Sequence, residues 1–179
     1  MRWLQNILKG RGRSMAALTT GTKAPDFECR TLGGKRFSLN EGLARGPVVL
    51  AFFKVSCPVC QYAFPYLERL HKAYGQNGYT LVGVSQDDAK GTAAFSKEFG
   101  VTFPVLLDDT RKYPVSNVYG LTNVPTLFWI ALDGEIEISS VGWMKADFEA
   151  VNRKMAEAGK ISAASLFKPG ESVPDFRAG

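Results

Sequence analysis

Apolar and amphipathic stretches alternate along the chain and predict an alternation of strands and helices. Residues 47–53 and 79–84 are almost continuously apolar, which is typical of strands buried on both faces. Between them, apolar side chains recur at helical spacing from Pro58 to Tyr74, and Gly75 follows as a helix terminator. The same patterns predict further strands at 26–31, 35–38, 105–107, 126–132 and 135–140, and further helices at 40–46, 89–99, 110–119 and 145–158.

Two glycine-containing turns define hairpins near the ends of this series. Gly33-Gly34 separates the first two predicted strands, and Asp133-Gly134 separates the last two. Strands alternating with helices, then a hairpin and a final helix, predict the α/β class, with a central mixed sheet and helices on both faces. We predict one domain over residues 21–159, between a basic N-terminal tail at 1–20 and a C-terminal tail at 160–179.

The C-terminal tail resembles the start of the domain over a few residues. Gly170 to Phe176 matches Gly21 to Phe27 at four positions. A chance match is the simpler interpretation. The alternative is a tail strand that docks on the sheet or on a neighbouring subunit.

The composition is that of a folded protein of about one domain. The chain has 179 residues, of which 45% are hydrophobic and 22% charged, and this balance argues against disorder, collagen-like repeats and coiled coils. The longest apolar runs, 48–53 and 127–132, have six residues each, whereas a membrane-spanning helix needs about 20. No spanning helix is therefore predicted.

The net charge of +5 belongs to the N-terminal tail. Residues 1–23 contain five of the 22 basic residues and none of the 17 acidic ones, so the rest of the chain is balanced. A nucleic-acid binder is expected to have a basic face on its folded body, and nucleic acid is therefore not a predicted partner. Residues 1–14 also lack the apolar run of about 7–15 residues that a secretory signal requires, so we expect a cytoplasmic protein.

The tail has one further pattern, within residues 1–13. Trp3, Leu4, Ile7 and Leu8 share a helical face opposite basic residues, as in a helix that lies on a membrane surface. A frayed tail is the simpler interpretation, because so short a helix is marginal by itself. Oligomeric state is not predicted.

The candidate chemistry lies in Cys57-Pro58-Val59-Cys60, at the transition from a buried strand to a helix. A thiol at a helix N-terminus faces free N–H groups and the positive end of the helix dipole, and both favour the thiolate. Pro58 suits the first helical position, where its missing N–H is not needed. We predict that Cys57 is the attacking thiolate, and that Cys60 is the resolving thiol with which it forms a redox-active disulfide.

Other roles for these residues are weaker. Zinc needs four ligands, and the only further candidates are Cys29 and His71, the latter about 16 Å from Cys60 along the same helix. Inert core cysteines are a second alternative. We expect Cys29 to be a small buried residue rather than a third redox centre, and His71 to be a partly exposed helix residue.

Val124-Pro125-Thr126, directly before an apolar strand, is a second signal. A proline that opens a strand indicates an edge, a bulge or a cis bond. Together with the cysteine motif and Pro65, it makes residues 21–158 resemble the thioredoxin fold, and more closely the TlpA/ResA-like thiol-disulfide oxidoreductases of the redoxin, or AhpC/TSA-related, group. Also typical of that group are Ala24-Pro25-Asp26-Phe27 with the glycine turn that follows, and residues 103–108.

The resemblance implies a thioredoxin-like sheet with an N-terminal hairpin extension and an α/β insertion. It also implies a cis Pro125 facing the disulfide and a Val124 backbone that hydrogen-bonds an incoming peptide or thiol partner. No cofactor and no metal are implied. The expected activity is disulfide exchange with a protein or small-molecule thiol, in the service of cell redox homeostasis.

The chain departs from its group at three positions. Val55-Ser56 precedes Cys57 where relatives usually have tryptophan. Ala51 and Ala63 stand where thioredoxins and ResA-like proteins, respectively, have an acid that accepts the proton of the resolving thiol. Water, or an acid from elsewhere such as Asp87, is expected to take over that role.

Two other functions remain as alternatives. One is a peroxiredoxin-like thiol peroxidase, an antioxidant enzyme, but Phe53, Cys57 and Val124 occupy its usual proline, hydroxyl and arginine positions. The other is a non-enzymatic module that binds copper(I) through its two thiolates. Met144 is the nearest guess for a third soft ligand.

Overall fold

The computed structural model describes residues 16–179. The face formed by Trp3, Leu4, Ile7 and Leu8 lies outside the described residues. The elements, in chain order, are β1 Glu28–Thr31, β2 Arg36–Ser38, α1 Leu39–Leu43, β3 Val48–Phe53, α2 Pro58–Tyr74, β4 Thr80–Ser85, α3 Ala89–Glu98, β5 Val105–Leu107, α4 Pro114–Val118, β6 Thr126–Ile130, β7 Ile136–Val141, β8 Trp143–Met144, α5 Lys145–Gly159 and β9 Phe176–Arg177.

Within residues 16–179, seven strands form one sheet in the order β2-β1-β5-β4-β3-β6-β7. The central strand β3 is parallel to β4, with Val48 opposite Thr80, and antiparallel to β6, with Val48 opposite Ile130. Both predicted hairpins form, β1 with β2 and β6 with β7. The sheet is therefore mixed, as the alternation of strands and helices predicts.

Each face of the sheet has its own apolar core, because successive side chains of a strand point to opposite faces. From β3, Val49, Ala51 and Phe53 pack in one cluster, with side chains of α2, α3 and α5. The alternate residues of β3 pack in the other cluster, with side chains of α1 and α4. All six residues of β3 are buried, which explains why its sequence does not alternate. No helix of residues 16–179 is long and apolar enough to cross a membrane.

Two predicted helices have different bounds in the structure. The helix predicted at 110–119 covers only Pro114–Val118, because Tyr113 is left-handed, with φ 47°. The helix predicted at 40–46 ends already at Leu43. It starts at Leu39, because the Ser38 hydroxyl accepts a hydrogen bond from the backbone N–H of Glu41 and caps the helix N-terminus. The remaining predicted elements differ from the observed ones by at most two residues at either end.

The C-terminal residues 160–179 pack on the domain. Leu166 is buried in the same core as α2 and α5, and Phe167 and Val173 pack against that core. The segment then forms β9, which pairs with β8 in a separate two-stranded sheet. Phe27 is buried and Phe176 is exposed, so the two similar heptapeptides occupy different environments.

Candidate active site

Cys57 is the residue immediately before α2. The chain leaves the buried strand β3 at Phe53 and enters the helix at Pro58, and Cys57 has an extended backbone between them. Its Sγ accepts a hydrogen bond from the backbone N–H of Cys60 at 3.2 Å. The sulfur thus takes the place of the side-chain oxygen that usually caps a helix, where a negative charge is stabilised. This is the predicted position of the attacking thiol.

Cys60 lies one turn further along α2 and is fully buried. Burial is the largest cause that raises the pKa of its thiol, and the hydrogen bond with Cys57 is the second; the charge of Asp87 contributes in the same direction. Cys60 therefore keeps its proton in the reduced protein while Cys57 is partly accessible. The structure contains both residues as free thiols.

The loop before β6, residues 121–125, faces the two cysteines and is named here the proline loop. The Val124–Pro125 peptide bond is cis. The backbone oxygen of Val124 lies 3.3 Å from Cys57 Sγ and accepts a hydrogen bond from the thiol. Thr126 Oγ1 donates to the Asn123 oxygen at 2.7 Å, which fixes the loop against β6. The structure thus brings Val124 and Pro125 to the cysteine pair.

Val55, two residues before Cys57, is held by side chains from two other elements. Its backbone N–H donates to Asp87 Oδ2 at 2.8 Å, and its carbonyl accepts from Gln61 Nε2 at 2.9 Å. Asp87 follows β4, and its own backbone N–H donates to Ser85 Oγ. The sequence offers Asp87 as a substitute acid, but no sequence signal indicates Gln61. Together they fix the segment that presents Cys57.

Cys29 and His71 lie elsewhere. Cys29 Sγ donates to the Leu107 oxygen at 2.8 Å and packs with the core on the opposite face of the sheet from Cys60. His71 is on α2, with its ring edge-on to Phe103 at 5.8 Å between centroids. Over residues 16–179, no three His, Cys, Asp or Glu side chains lie together in a group that could hold a metal ion. Met144 pairs with Phe176 in the two-stranded sheet.

A small cavity lies next to the site. A cavity of about 190 Å³ lies beside the proline loop, lined by Lys54, Gln86 and residues 121–124. Pockets for drug-sized ligands and cofactors are typically about 300–1,000 Å³. The cavity is therefore of a size for one side chain or a small group.

A dithiol at a helix N-terminus, opposite a cis-proline loop and on this sheet, defines the class of thioredoxin-fold redox proteins. The sequence assigns the chain to a narrower group within this class. Residues 20–139 match the AhpC/TSA family, and the chain belongs to it. Its relatives include two proteins named thiol-disulfide oxidoreductase ResA. The chain is 33% identical to the one from Geobacillus kaustophilus (strain HTA426) over 74% of its own length and 76% of the relative. It is 30% identical to the one from Bacillus subtilis (strain 168) over 87% of its own length and 80% of that relative.

Solved structures agree with this assignment. The thiol:disulfide interchange protein of the thioredoxin family from Chlorobium tepidum TLS superposes with a TM-score of 0.63 at 26% identity, covering 78% of this chain and 99% of that one. The fold is therefore thioredoxin-like, and the protein is an enzyme of the thiol-disulfide oxidoreductase class.

Proposed function

We propose that the protein exchanges disulfides with a protein or small-molecule thiol partner through Cys57 and Cys60. The observation that supports this best is the position of Cys57 Sγ, which caps α2 and faces the proline loop. The sulfur of Cys57 is partly accessible to a partner, whereas Cys60 is buried one turn away. This is the arrangement of an attacking and a resolving thiol.

The exchange has two steps. Cys57 thiolate attacks one sulfur of the partner disulfide, a mixed disulfide forms, and the other partner sulfur leaves as a thiolate that takes up a proton. Cys60 then loses its proton and attacks Cys57 Sγ, which releases the second partner sulfur and leaves a Cys57–Cys60 disulfide. Two electrons pass to the partner, and an external dithiol must restore the reduced pair.

Asp87 is the acid that we propose as the proton acceptor for Cys60. Its charge contributes to the raised pKa of Cys60, and its Oδ2 accepts the hydrogen bond from the Val55 N–H two residues before Cys57. The positions at which relatives place an acid are the buried alanines Ala51 and Ala63. The acid thus comes from the loop after β4 instead of from β3 or α2.

The mechanism predicts opposite results for the two cysteines. Cys60→Ser should accumulate the mixed disulfide of Cys57 with a model disulfide, because the attack that resolves it is lost. Cys57→Ser should form no adduct. The measurement is intact-mass spectrometry after incubation with the model disulfide. Cys29→Ser is the matched control and should turn over normally; adducts of the native protein at Cys60 but not at Cys57 would contradict the assignment.

We propose a cytoplasmic, reducing role, since a reducing compartment favours the direction that reduces the partner. A redox titration of the Cys57/Cys60 pair against glutathione tests it. A midpoint near or below about −220 mV supports the proposal, and one near about −120 mV contradicts it in favour of an oxidant that works outside the cytoplasm. If no disulfide forms between the two cysteines, the exchange mechanism is wrong.

A further inference from the structure

The segment that follows α5 is anchored to the domain up to residue 175. Glu171 forms an ion pair with Arg69 at 2.8 Å. The Trp143 indole N–H donates to the Pro174 oxygen at 2.7 Å, and Lys145 N–H donates to the Asp175 oxygen at 2.9 Å. The position at which residue 176 begins is therefore fixed by contacts with α2, β8 and α5.

Residues 176–179, named here the strap, continue from this anchor toward the active site. Its first two residues pair antiparallel with β8, with Phe176 opposite Met144 and Arg177 opposite Trp143. The Arg177 guanidinium lies 4.0 Å from the centroid of the Tyr62 ring on α2. Asn123 Nδ2, in the proline loop, donates to the Gly179 oxygen at 3.2 Å. The strap thus joins α2, β8 and the proline loop.

Gly179 lies directly on the backbone of the proline loop. A Cβ atom at this position would be 2.3 Å from the Val124 oxygen, closer than real Cβ atoms approach, so glycine is required by the contact. The Val124 oxygen is also the atom that accepts the hydrogen bond from Cys57 Sγ. The reactive sulfur and the strap therefore contact the same backbone oxygen.

The strap is held by few interactions. It pairs with β8 over only two residues, and Phe176 is 55% exposed. Segments with few buried contacts open locally at low free-energy cost. An extended polypeptide can replace such a strand, because it re-forms the main-chain hydrogen bonds that the strand gives up.

We propose that the strap occupies the surface on which an extended polypeptide partner binds, so that a protein disulfide must displace it before reaching Cys57. This inference rests on the proposed exchange function and narrows its substrate class. The partner is a polypeptide whose segment next to its disulfide is extended and pairs with β8 and the proline loop. A small disulfide needs no such pairing and reaches Cys57 past the strap.

The test compares two substrates in three variants. Gly179→Ala forces the strap off the proline loop, and deletion of residues 176–179 removes it while Glu171 and Pro174 stay in place. Gly33→Ala is the matched control, because a Cβ there meets only one atom, at 3.8 Å, in the distant turn between β1 and β2. The substrates are a disulfide-bonded extended peptide and a small aromatic disulfide, and kcat/KM is measured for each.

Both strap variants should raise kcat/KM for the peptide roughly 5- to 30-fold, the population change that corresponds to about one to two kcal/mol of closing free energy. The small disulfide and the Gly33→Ala variant should show less than a twofold change. An unchanged or lowered peptide rate, or an equal rise for both substrates, would overturn the proposal.

A second readout separates this proposal from the exchange function. Alkylation of Cys57 by a maleimide linked to the same extended peptide requires access but no disulfide chemistry, and it is measured in a Cys29→Ser background. Faster alkylation in the strap variants supports the strap proposal, whether or not either substrate is exchanged. If neither substrate is exchanged, only the proposed exchange function fails. Equal alkylation rates with and without the strap refute the strap proposal.

Discussion

Three thiols of one chain lie in three different surroundings. Cys57 caps a helix and is partly accessible, Cys60 is buried one turn away, and Cys29 donates a hydrogen bond to a backbone oxygen on β5. Burial is the main reason that the pKa of Cys29 rises to about 11, and the charge of Asp108 adds to it. The chemical difference between the cysteines is therefore set by position and not by residue type.

Cys29 should react slowly with alkylating reagents. Because only the thiolate is nucleophilic and its pKa is about 11, the alkylation rate of Cys29 should rise about tenfold for each pH unit from 7 to 10. The measurement is iodoacetamide labelling followed by peptide mass spectrometry, in a Cys57→Ser/Cys60→Ser background. A rate that levels off below pH 9 would contradict the raised pKa of this partly buried thiol.

The cysteine pair is predictable from sequence because short spacing and a strand-to-helix transition fix its geometry, whereas the facing proline follows from the family resemblance. Asp87 and Gln61 are different, since their role depends on two elements meeting at Val55. The position of the strap is even less predictable from sequence. Nothing in residues 176–179 indicates that they contact Val124, because the contact depends on how α5 and the following 16 residues fold back.

At the scale of elements, the start of α4 depends on the conformation of the residue before a proline. The pattern at 110–119 predicts a helix, but Pro114 disfavours a helical conformation for the residue before it, and Tyr113 is left-handed. The helix then begins at Pro114, and the buried Asp108 carboxylate accepts hydrogen bonds from the N–H groups of Val115 and Ser116. In the sequence, Pro114 is the signal for where this helix starts. The hydrogen bonds to Asp108 depend on how the preceding loop folds, so the sequence does not indicate them.

One ion pair, between Arg69 and Glu171, contributes to the course of the C-terminal segment. Arg69 is the main cause that lowers the pKa of Glu171 to about 2, and the Lys168 N–H and the Tyr66 hydroxyl act in the same direction. A lowered pKa in the folded state means that this contribution to stability is fully present above about pH 4.5 and is lost as the pH falls toward 2. The anchor is therefore intact over the whole neutral range.

Replacing this carboxylate should loosen residues 160–179. Glu171→Gln keeps the size of the side chain but removes the charge that binds Arg69, so backbone amides of the segment should exchange faster with solvent deuterium at pH 7. The control is Glu157→Gln, an exposed glutamate on α5. Hydrogen exchange followed by mass spectrometry gives the result for both variants. Equal protection of the segment in the two would mean that its other contacts hold it without the ion pair.

At the scale of the whole molecule, burial raises the pKa of five thiol and phenol groups within residues 16–179. Burial is the largest cause that raises the pKa of Tyr79, to about 12, and of Cys29, to about 11. It likewise raises the pKa of Cys60, Tyr66 and Tyr119. These groups lie on both faces of the sheet, so the effect extends beyond the active site to the entire core.

This common direction predicts that the reduced protein loses stability at alkaline pH. The folded state keeps protons that the unfolded chain releases from about pH 9 upward, so the free energy of unfolding should fall above pH 9, by up to about 1.4 kcal/mol per pH unit for each group. Urea unfolding at pH 8, 9, 10 and 11, followed by tryptophan fluorescence with a reductant present, measures this. Tyr79→Phe removes one titrating group and the hydrogen bond to Gly75, so it should lower stability at pH 8 and make the alkaline decline shallower. A free energy of unfolding that stays constant from pH 8 to 11 would mean that the core does not hold these protons.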